Sequence, residues 1–326
     1  MLESFRAMMA TSHDFATIKG ELRQALEAFS ESAVCVLVDS GIVVTEPAEE
    51  TYSLSQNLFS TLFLYSYYRC DIPSSRRVLY ATVNQCLRGM VTGCDNLLDH
   101  EYKVTIDSDL PRTATTFRSV VDIMASDRIL FASLIQYAAS TDCRQELVLQ
   151  AANKTLATLA RSGVQEAYEE AGVTERISPD DILNNIHHFK TGLLFQSTWA
   201  VPELFEVMTP QMESTKQALY DIGIGCQLLD DLVDLYQDVR DCRHNYVASW
   251  LAWFEPTSWK LVQAYALDEK ATPACLYQQE HAWADVIKQL AKTRLEKGLS
   301  ALFLERHQIF VGPISSLIAE RIGVSF

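Results

Sequence analysis

The sequence IGIGCQLLDDLVDLYQD, residues 222–238, combines helical periodicity with a cluster of acids. Asp230, Asp231 and Asp234 lie on one predicted helix, Gln227 stands one turn earlier, and leucines fill the opposite positions. Carboxylates inside such an apolar run are costly unless counter-charges or a metal ion pair with them. The stretch therefore predicts a metal site on a core-spanning helix.

A second acidic pair lies in GCDNLLDHEYK, residues 93–103. Asp95 and Asp99 are four residues apart and so project from one helix face. On its own such a pair could be a surface accident, but the preceding segment from Leu87 is largely apolar, which places the acids at the end of a buried stripe. Hard oxygen ligands in that position suit Mg²⁺.

Between these acids lies HHFKTGLLFQSTW, residues 187–199. Lys190 can supply a positive charge to a phosphate. Thr191, Phe195 and Trp199 share one helix face at four-residue spacing and could line a pocket, although core packing explains the same spacing. The two histidines that open the segment are predicted to be structural, because no metal-ligand partners stand at a matching spacing.

Composition indicates an ordinary globular protein, since 48% of the 326 residues are hydrophobic and 21% are charged. The net charge of -15 argues against nucleic-acid or anionic-membrane partners. The richest apolar stretch, residues 57–68, is too short and too interrupted to span a membrane. Eight cysteines without a CxxC pair, and a start unlike a signal sequence, predict a cytoplasmic location.

Helical patterning runs through the chain, and the valine-rich residues 34–44 are predicted to be a helix end and a loop. Capping residues predict helix starts at Ser178, at Thr209-Pro210 and at Glu255-Pro256. Residues 211–240 predict one helix about 45 Å long. No linker divides the chain, so we expect one all-α domain over residues 1–326. Three helical glycines predict close approach of another helix or a ligand: Gly192, Gly223 and Gly225.

These segments resemble motifs of the trans-prenyl diphosphate synthases, over about residues 87–246. QLLDDLVD, with Gln227 before the acids, looks like the second aspartate-rich motif of that family. DNLLD, residues 95–99, resembles the first motif with Asn96 in place of its second aspartate. Lys190 and Thr191 match the family's lysine and threonine, and SDRILFASL from Ser126 resembles the helix after the first motif.

The resemblance implies an all-α class I isoprenoid synthase bundle around a central cavity, a homodimer, and three Mg²⁺ ions bound with a prenyl diphosphate. The implied metal ligands are Asp95, Asp99, Asp230 and Asp234, with Asp231 as a further catalytic acid. The implied diphosphate-binding residues are Lys190, Gln227, Arg240 and Arg243. The cavity would be lined by Met90, Val91, Thr191, Phe195 and Trp199, and Phe189 is a further candidate.

The chain departs from the chain-elongating members where they bind a second diphosphate. It has no GGKRxRP-like segment, and only Arg76 and Arg77 are basic in that neighbourhood. The double arginine after the first motif is also missing, with Arg112 and Arg118 as imperfect substitutes. These losses favour a terpene synthase that ionises and cyclises a single linear prenyl diphosphate and releases diphosphate.

A twenty-carbon substrate, geranylgeranyl diphosphate, is favoured over farnesyl diphosphate, because Met90 and Val91 lack the aromatic ring that limits cavity depth in short-chain relatives. Two alternatives remain. A prenyltransferase would join two substrates through the arginines named above. A non-catalytic partner of an active synthase would fit Asn96, but the intact acids of the second motif argue against it.

Overall fold

The computed structural model describes residues 12–99, 102–141, 145–267 and 282–326. These residues form helices and loops with no β-strand, which confirms the all-α prediction. Their only strand-like pairing is an isolated antiparallel bridge between Val44 and Ser108. The loop after the first helix holds one side of this bridge, so the prediction of a helix end and loop in residues 34–44 is confirmed.

The α-helices range from 3 to 27 residues in length. In chain order the α-helices are α1 (His13–Leu37), α2 (Leu58–Arg69), α3 (Ser74–Leu98), α4 (Thr115–Thr141), α5 (Gln145–Glu169), α6 (Pro179–Asp181), α7 (Leu193–Ser197), α8 (Pro202–Phe205), α9 (Pro210–Val233), α10 (Leu235–Arg240), α11 (Tyr246–Phe254), α12 (Pro256–Ala266), α13 (Ala282–Leu302) and α14 (Val311–Ile322). A π-helix, Ile182–Gly192, joins α6 to α7, and 3₁₀ turns occupy Glu49–Tyr52 and Glu305–Phe310.

The described residues group into two compact units. The N-terminal unit comprises those of Glu3–Leu159 and Thr198–Met212, and the C-terminal unit comprises those of Ala160–Ser197 and Glu213–Phe326. The expectation of one domain over residues 1–326 stays a prediction.

In the N-terminal unit, α3 packs against α1, α2 and α4. The approach to α4 depends on two glycines of α3, because a Cβ atom on Gly89 would lie 2.0 Å from Ser126 Oγ and one on Gly93 would lie 2.6 Å from the Ile123 side chain. The core of this unit includes several buried aromatic rings. Trp199 is fully buried there, donates its Nε1 proton to Ser66 Oγ at 3.1 Å, and packs edge-on against Tyr67.

In the C-terminal unit, the glycines predicted to sit at a close approach do so against neighbouring helices. A Cβ atom on Gly223 would lie 2.9 Å from the Thr191 carbonyl oxygen, and one on Gly225 would lie 2.7 Å from Leu295. A Cβ atom on Gly192 would meet the Tyr220 ring at 2.3 Å. Tight helix packing thus accounts for all three positions.

The predicted helix starts are confirmed. Ser178 Oγ accepts a hydrogen bond from the Asp181 backbone N–H at 3.1 Å, and α9 and α12 begin at Pro210 and Pro256. The prediction of one helix over residues 211–240 is wrong. The helix ends at Val233, and Asp234 leaves helical geometry (φ -91°, ψ 3°) to become the N-cap residue of α10.

In the described part of the chain, no helix has the length and apolar content needed to cross a membrane. The six described cysteines are free thiols, and the other two, Cys143 and Cys275, lie outside the described residues. The cytoplasmic location stays a prediction.

Candidate functional site

Asp231, near the end of α9, is the centre of a buried hydrogen-bond network in the C-terminal unit. Its carboxylate accepts from His187 Nε2 at 2.9 Å, from Gln227 Nε2 at 2.9 Å and from the Tyr246 backbone N–H. Burial alone would raise the pKa of Asp231, but His187 and these hydrogen bonds outweigh it and lower that pKa. Asp231 is only 3% exposed. It is therefore a buried group that orders its neighbours through hydrogen bonds.

The π-helix and α9 meet through matched pairs of residues. His187 contacts Asp231, and four residues further along the π-helix Thr191 donates to Gln227 Oε1, four residues earlier on α9. The two helices therefore run antiparallel at this contact. His187 was predicted to be structural, and it is buried. Its contact with Asp231 could not be predicted from the local pattern, because 44 residues separate the two.

The acids that reach solvent form a row at four-residue spacing. Asp230 and Asp234 are exposed, and Asp238, which the sequence reasoning did not select, is half-buried one turn further on. Although part of the Asp230 side chain reaches solvent, the surrounding protein removes much of the hydration of its carboxylate, and this loss, with repulsion from Asp234 and Asp231, raises the pKa of Asp230 to about 7. The same causes, with Asp231 as the strongest neighbour, raise the pKa of Asp238 to about 8.

Asn245 ties this row to the helix that follows. Its Nδ2 group donates to the Asp231 carbonyl oxygen at 2.7 Å and to Asp238 Oδ2 at 2.8 Å, while its Oδ1 caps α11 by accepting from the Ala248 N–H at 3.0 Å. The side chain is fully buried. The four-residue spacing from Asp234 to Asp238 could have indicated Asp238 from the sequence. No sequence pattern indicated the role of Asn245.

Lys190 is the residue that the sequence predicts to bind a phosphate. Its Nζ lies 2.7 Å from Glu166 Oε1, and its side chain is largely buried. Burial lowers the pKa of Lys190, but attraction to Glu166 and Glu169 outweighs that effect and raises it. The lysine therefore stays charged and is held by an acid of α5.

The other predicted phosphate ligands and cavity residues are placed as follows. Arg240 donates from Nε to the Ala266 carbonyl oxygen at 3.0 Å. The Arg243 backbone N–H donates to the Asp238 carbonyl oxygen. Phe195 packs at the Gly223 contact, whereas Trp199 belongs to the core of the N-terminal unit.

The first acidic motif ends α3 in the N-terminal unit. Asp95 and Asp99 are exposed, and the Asp99 N–H closes the last turn by donating to the Asp95 carbonyl oxygen at 2.8 Å. Asn96 follows Asp95 in the sequence, and its side chain is buried. Met90, one turn before, is buried, and Val91 is half-buried.

Asn96 hydrogen-bonds to the backbone of Lys103 in both directions. Its Nδ2 donates to the Lys103 carbonyl oxygen at 3.0 Å, and its Oδ1 accepts from the Lys103 N–H at 2.8 Å. A carboxylate can accept but not donate, so an aspartate could not make this pair of bonds. The departure from the family motif therefore has a structural role.

The arginines considered for a second diphosphate are largely engaged within the N-terminal unit. Arg76 pairs with Glu206 at 3.0 Å, and Arg77 Nε lies 2.8 Å from Glu21 Oε2. Arg118 is buried and clamps the loop after the first motif through the Tyr102 hydroxyl and the Leu110 carbonyl oxygen. Arg112 is exposed.

The acidic row has the donor chemistry that Mg²⁺ uses when a phosphate completes its coordination. Mg²⁺ is commonly held by one or two carboxylates together with water and phosphate oxygens, not by an all-protein cage. Among the described residues, no group of three His, Cys, Asp or Glu side chains could hold a metal ion by itself. Asp230 and Asp234, whose mutual repulsion raises the pKa of Asp230, fit such a shared ion.

The solved structures that are similar to this chain include three prenyl diphosphate synthases. The heptaprenyl diphosphate synthase from Staphylococcus aureus matches with a TM-score of 0.61 at 12% identity, covering 93% of this chain and 98% of that chain. The geranylgeranyl pyrophosphate synthase from Lactobacillus brevis matches with a TM-score of 0.59 at 15% identity, covering 96% and 99%. A third, the geranylgeranyl pyrophosphate synthase from Corynebacterium glutamicum, complexed with isoprenyl diphosphate and magnesium, matches at 0.50 and 14%, covering 93% and 98%.

No protein-family model and no curated protein matches the sequence. The likeness is thus one of fold, and it spans nearly the full length of these enzymes. The chain has the all-α fold of the trans-prenyl diphosphate synthases.

Proposed function

We propose that the chain is a Mg²⁺-dependent enzyme that ionises a prenyl diphosphate. The observation that carries this proposal is the pair Asp230 and Asp234, two exposed carboxylates at four-residue spacing, backed by the buried Asp231 network. The shared fold supports it, as does the relative that was solved with isoprenyl diphosphate and magnesium.

The residues of this chain would act by holding and orienting charge. When bound, Mg²⁺ supplies Lewis-acid neutralisation of the diphosphate as the allylic C–O bond breaks. Asp230 and Asp234 would hold it, while Gln227, whose Nε2 donates to both Asp230 and Asp231, would orient the Asp230 carboxylate. Lys190, oriented by Glu166, would donate to a phosphate oxygen. Asp95 and Asp99 of the N-terminal unit stay proposed Mg²⁺ ligands, and three ions stay the expected number.

The ionisation proposal is tested by replacing one acid from each motif. Asp230→Asn and Asp95→Asn should each reduce Mg²⁺-dependent diphosphate release from geranylgeranyl diphosphate by at least about a hundredfold, because each removes charge that stabilises the transition state. Asp127→Asn, at an exposed position of α4, is the matched control and should retain turnover. Retained turnover in both motif variants would remove this mechanism.

Two fates are open to the ionised substrate, and prenyl transfer is the better supported. The solved structures of the same fold are named as prenyl diphosphate synthases. One arginine of this chain also suits a second diphosphate. Arg88, on α3, has no hydrogen bond or ion pair within the described residues and lines a cavity of about 400 Å³ in the N-terminal unit. Arg88 is exposed, so its guanidinium can present two N–H donors to the oxygens of a phosphate.

Cyclisation of a single substrate, which the sequence favours, keeps one structural argument. Arg76, Arg77 and Arg118, three of the four arginines considered for a second diphosphate, are committed to Glu206, Glu21 and the loop after the first motif. Breaking these contacts to bind a phosphate would leave buried acids without partners. A cyclase needs no such exchange.

The two fates are separated by one pair of incubations with Mg²⁺ and geranylgeranyl or farnesyl diphosphate, with and without isopentenyl diphosphate. For a transferase we expect longer prenyl diphosphates only with the second substrate, and a KM for isopentenyl diphosphate at least about tenfold higher in Arg88→Gln. Arg128→Gln, exposed on α4, is the control. Hydrocarbon from a single substrate, unchanged in Arg88→Gln, would establish the cyclase. Turnover only with an added partner would establish the regulatory role.

We further propose that two copies of the chain associate through α4 and α5. Exposed apolar side chains recur on these helices at seven-residue intervals: Phe117, Met124 and Phe131 on α4, and Leu149 and Leu156 on α5. A contiguous exposed stripe of this kind is typical of a helix interface. Light scattering should give a dimer mass for the wild type. It should give a monomer mass for the double variant that combines Met124→Glu with Phe131→Glu. A monomeric wild type would contradict the proposal.

A further inference from the structure

A second cavity, of about 790 Å³, lies in the C-terminal unit and is lined by residues that have no part in the chemistry proposed above. Its walls come from residues 173–176, residues 239–244, α11 and α12. The residues that carry the argument are Arg176, His244, Trp253 and Trp259.

Arg176 is a half-buried cation that has no hydrogen-bond acceptor among the described residues. Its guanidinium carbon lies 4.3 Å from the centroid of the Trp259 ring, and within the described residues it forms no ion pair with a carboxylate. Loss of hydration lowers the pKa of Arg176. A guanidinium has five N–H donors, and one face resting on an indole leaves the edge donors unsatisfied. Donors that point into a cavity from a cationic group suit an anionic acceptor.

The rest of the wall suits the body of such a ligand. The Trp253 indole also lines the cavity, and 49% of its surface is exposed. Burial lowers the pKa of His244, so its ring is neutral at physiological pH and adds a hydrogen-bonding group without repelling a cation beside it. Gln263 adds an amide, and Val173 and Leu267 add apolar surface.

We propose that this cavity binds a small phosphate monoester that carries a flat, unsaturated apolar body. The planar fork of Arg176 matches two phosphate oxygens, and the indoles offer faces for the body. Aromatic and isoprenoid phosphates share this chemistry. Because the cation is an arginine, binding needs no divalent metal ion, in contrast to the acidic row.

That contrast provides the test. The full-length protein is titrated in excess EDTA with inorganic phosphate, benzyl phosphate and geranyl phosphate, followed by tryptophan fluorescence and calorimetry. Without divalent metal the acidic row repels these anions, so metal-free binding reports the cavity. We expect saturable binding of at least one ester, tighter than that of inorganic phosphate, and weakened at least about tenfold in Arg176→Gln.

Arg161→Gln is the matched control, because Arg161 also stacks on an aromatic ring, that of Phe189, and does not line the cavity. Its affinity should equal that of the wild type. Trp253→Ala is a second variant at an exposed side chain, and it should weaken ester binding while leaving the fold intact. Absence of saturable ester binding, or equal affinity in wild type, Arg176→Gln and Trp253→Ala, would overturn the proposal. Preference for benzyl or geranyl phosphate identifies the body.

Discussion

Asn96 is a buried amide that lies between the two exposed acids at the end of α3. By resemblance it marks a lost metal ligand, but its buried amide bonds the Lys103 backbone in both directions and so closes the loop after α3. The position between Asp95 and Asp99 is therefore structural, and the role of these two acids as metal ligands stays a proposal.

Restoring the family's aspartate at this position should destabilise the protein. Asn96→Asp removes the donor to the Lys103 carbonyl oxygen and buries a carboxylate against it, so we expect the free energy of unfolding to fall by about 1–3 kcal/mol in urea denaturation. Asp99→Asn, an exposed exchange between the same residue types, should change it by less than about 0.5 kcal/mol. An Asn96→Asp variant as stable as the wild type would contradict the structural role of the amide.

Among single residues, the acids of the second motif and Gln227 could be grouped from the sequence, because helical spacing between nearby residues brings them together. His187 and Asn245 could not be assigned in the same way. Their partner Asp231 lies 44 residues from His187, and the contact depends on the rotational phase of the π-helix against α9. A π-helix has no recognisable periodicity in a sequence scanned for a 3.6-residue repeat.

Among the elements, the contact between α9 and the π-helix positions the acidic row. Gly223 allows it, since a Cβ atom there would lie 2.9 Å from the Thr191 carbonyl oxygen. The helix starts around this contact were predictable from serine and proline, whose capping chemistry is local. The break at Asp234 was not, because LVDLYQ continues the apolar pattern without a glycine or proline.

Filling the Gly223 contact should separate the two helices. In Gly223→Ala we expect a loss of about 1–3 kcal/mol in stability from overpacking, and a lower affinity for Mg²⁺ with diphosphate, because Thr191 and His187 shift from their partners on α9. Calorimetric melting and metal titration measure both effects.

Gly163→Ala is the control for this substitution, since a Cβ atom at Gly163 in α5 meets nothing within 4 Å. Its greater helix propensity should leave stability unchanged or raise it by up to about 1 kcal/mol. Equal behaviour of the two alanine variants would show that the Gly223 contact does not control the site.

The whole molecule carries a net charge of -15, and part of that charge is held in carboxyl groups that resist ionisation. Loss of hydration raises the pKa of Asp122 to about 6, of Asp230 to about 7 and of Asp238 to about 8, above the ordinary value of 3.8. Through these three groups the folded state binds more protons than the unfolded chain between about pH 4 and pH 8, and the half-buried His188 and His244, whose pKa values are lowered, offset only part of this difference.

From this difference we expect the melting temperature of the metal-free protein to fall as pH rises from 5 to 8, because the slope of stability against pH is negative where the folded state holds the extra protons. Mg²⁺ with diphosphate should raise the melting temperature more at pH 8 than at pH 5, since it binds the ionised acids. Asp230→Asn should flatten the metal-free profile. A profile that rises with pH, or one unchanged in this variant, would contradict the assignment.

The hydrogen bond from the Tyr246 backbone N–H to the buried Asp231 carboxylate has a spectroscopic consequence. An amide proton bound to a carboxylate is strongly deshielded, and one shut away from water exchanges slowly with deuterium. The Tyr246 amide should therefore give a far-downfield, long-lived signal in a nitrogen-correlated NMR spectrum of the labelled protein. That single resonance would report whether the network behind the acidic row is assembled, with no substrate and no turnover required.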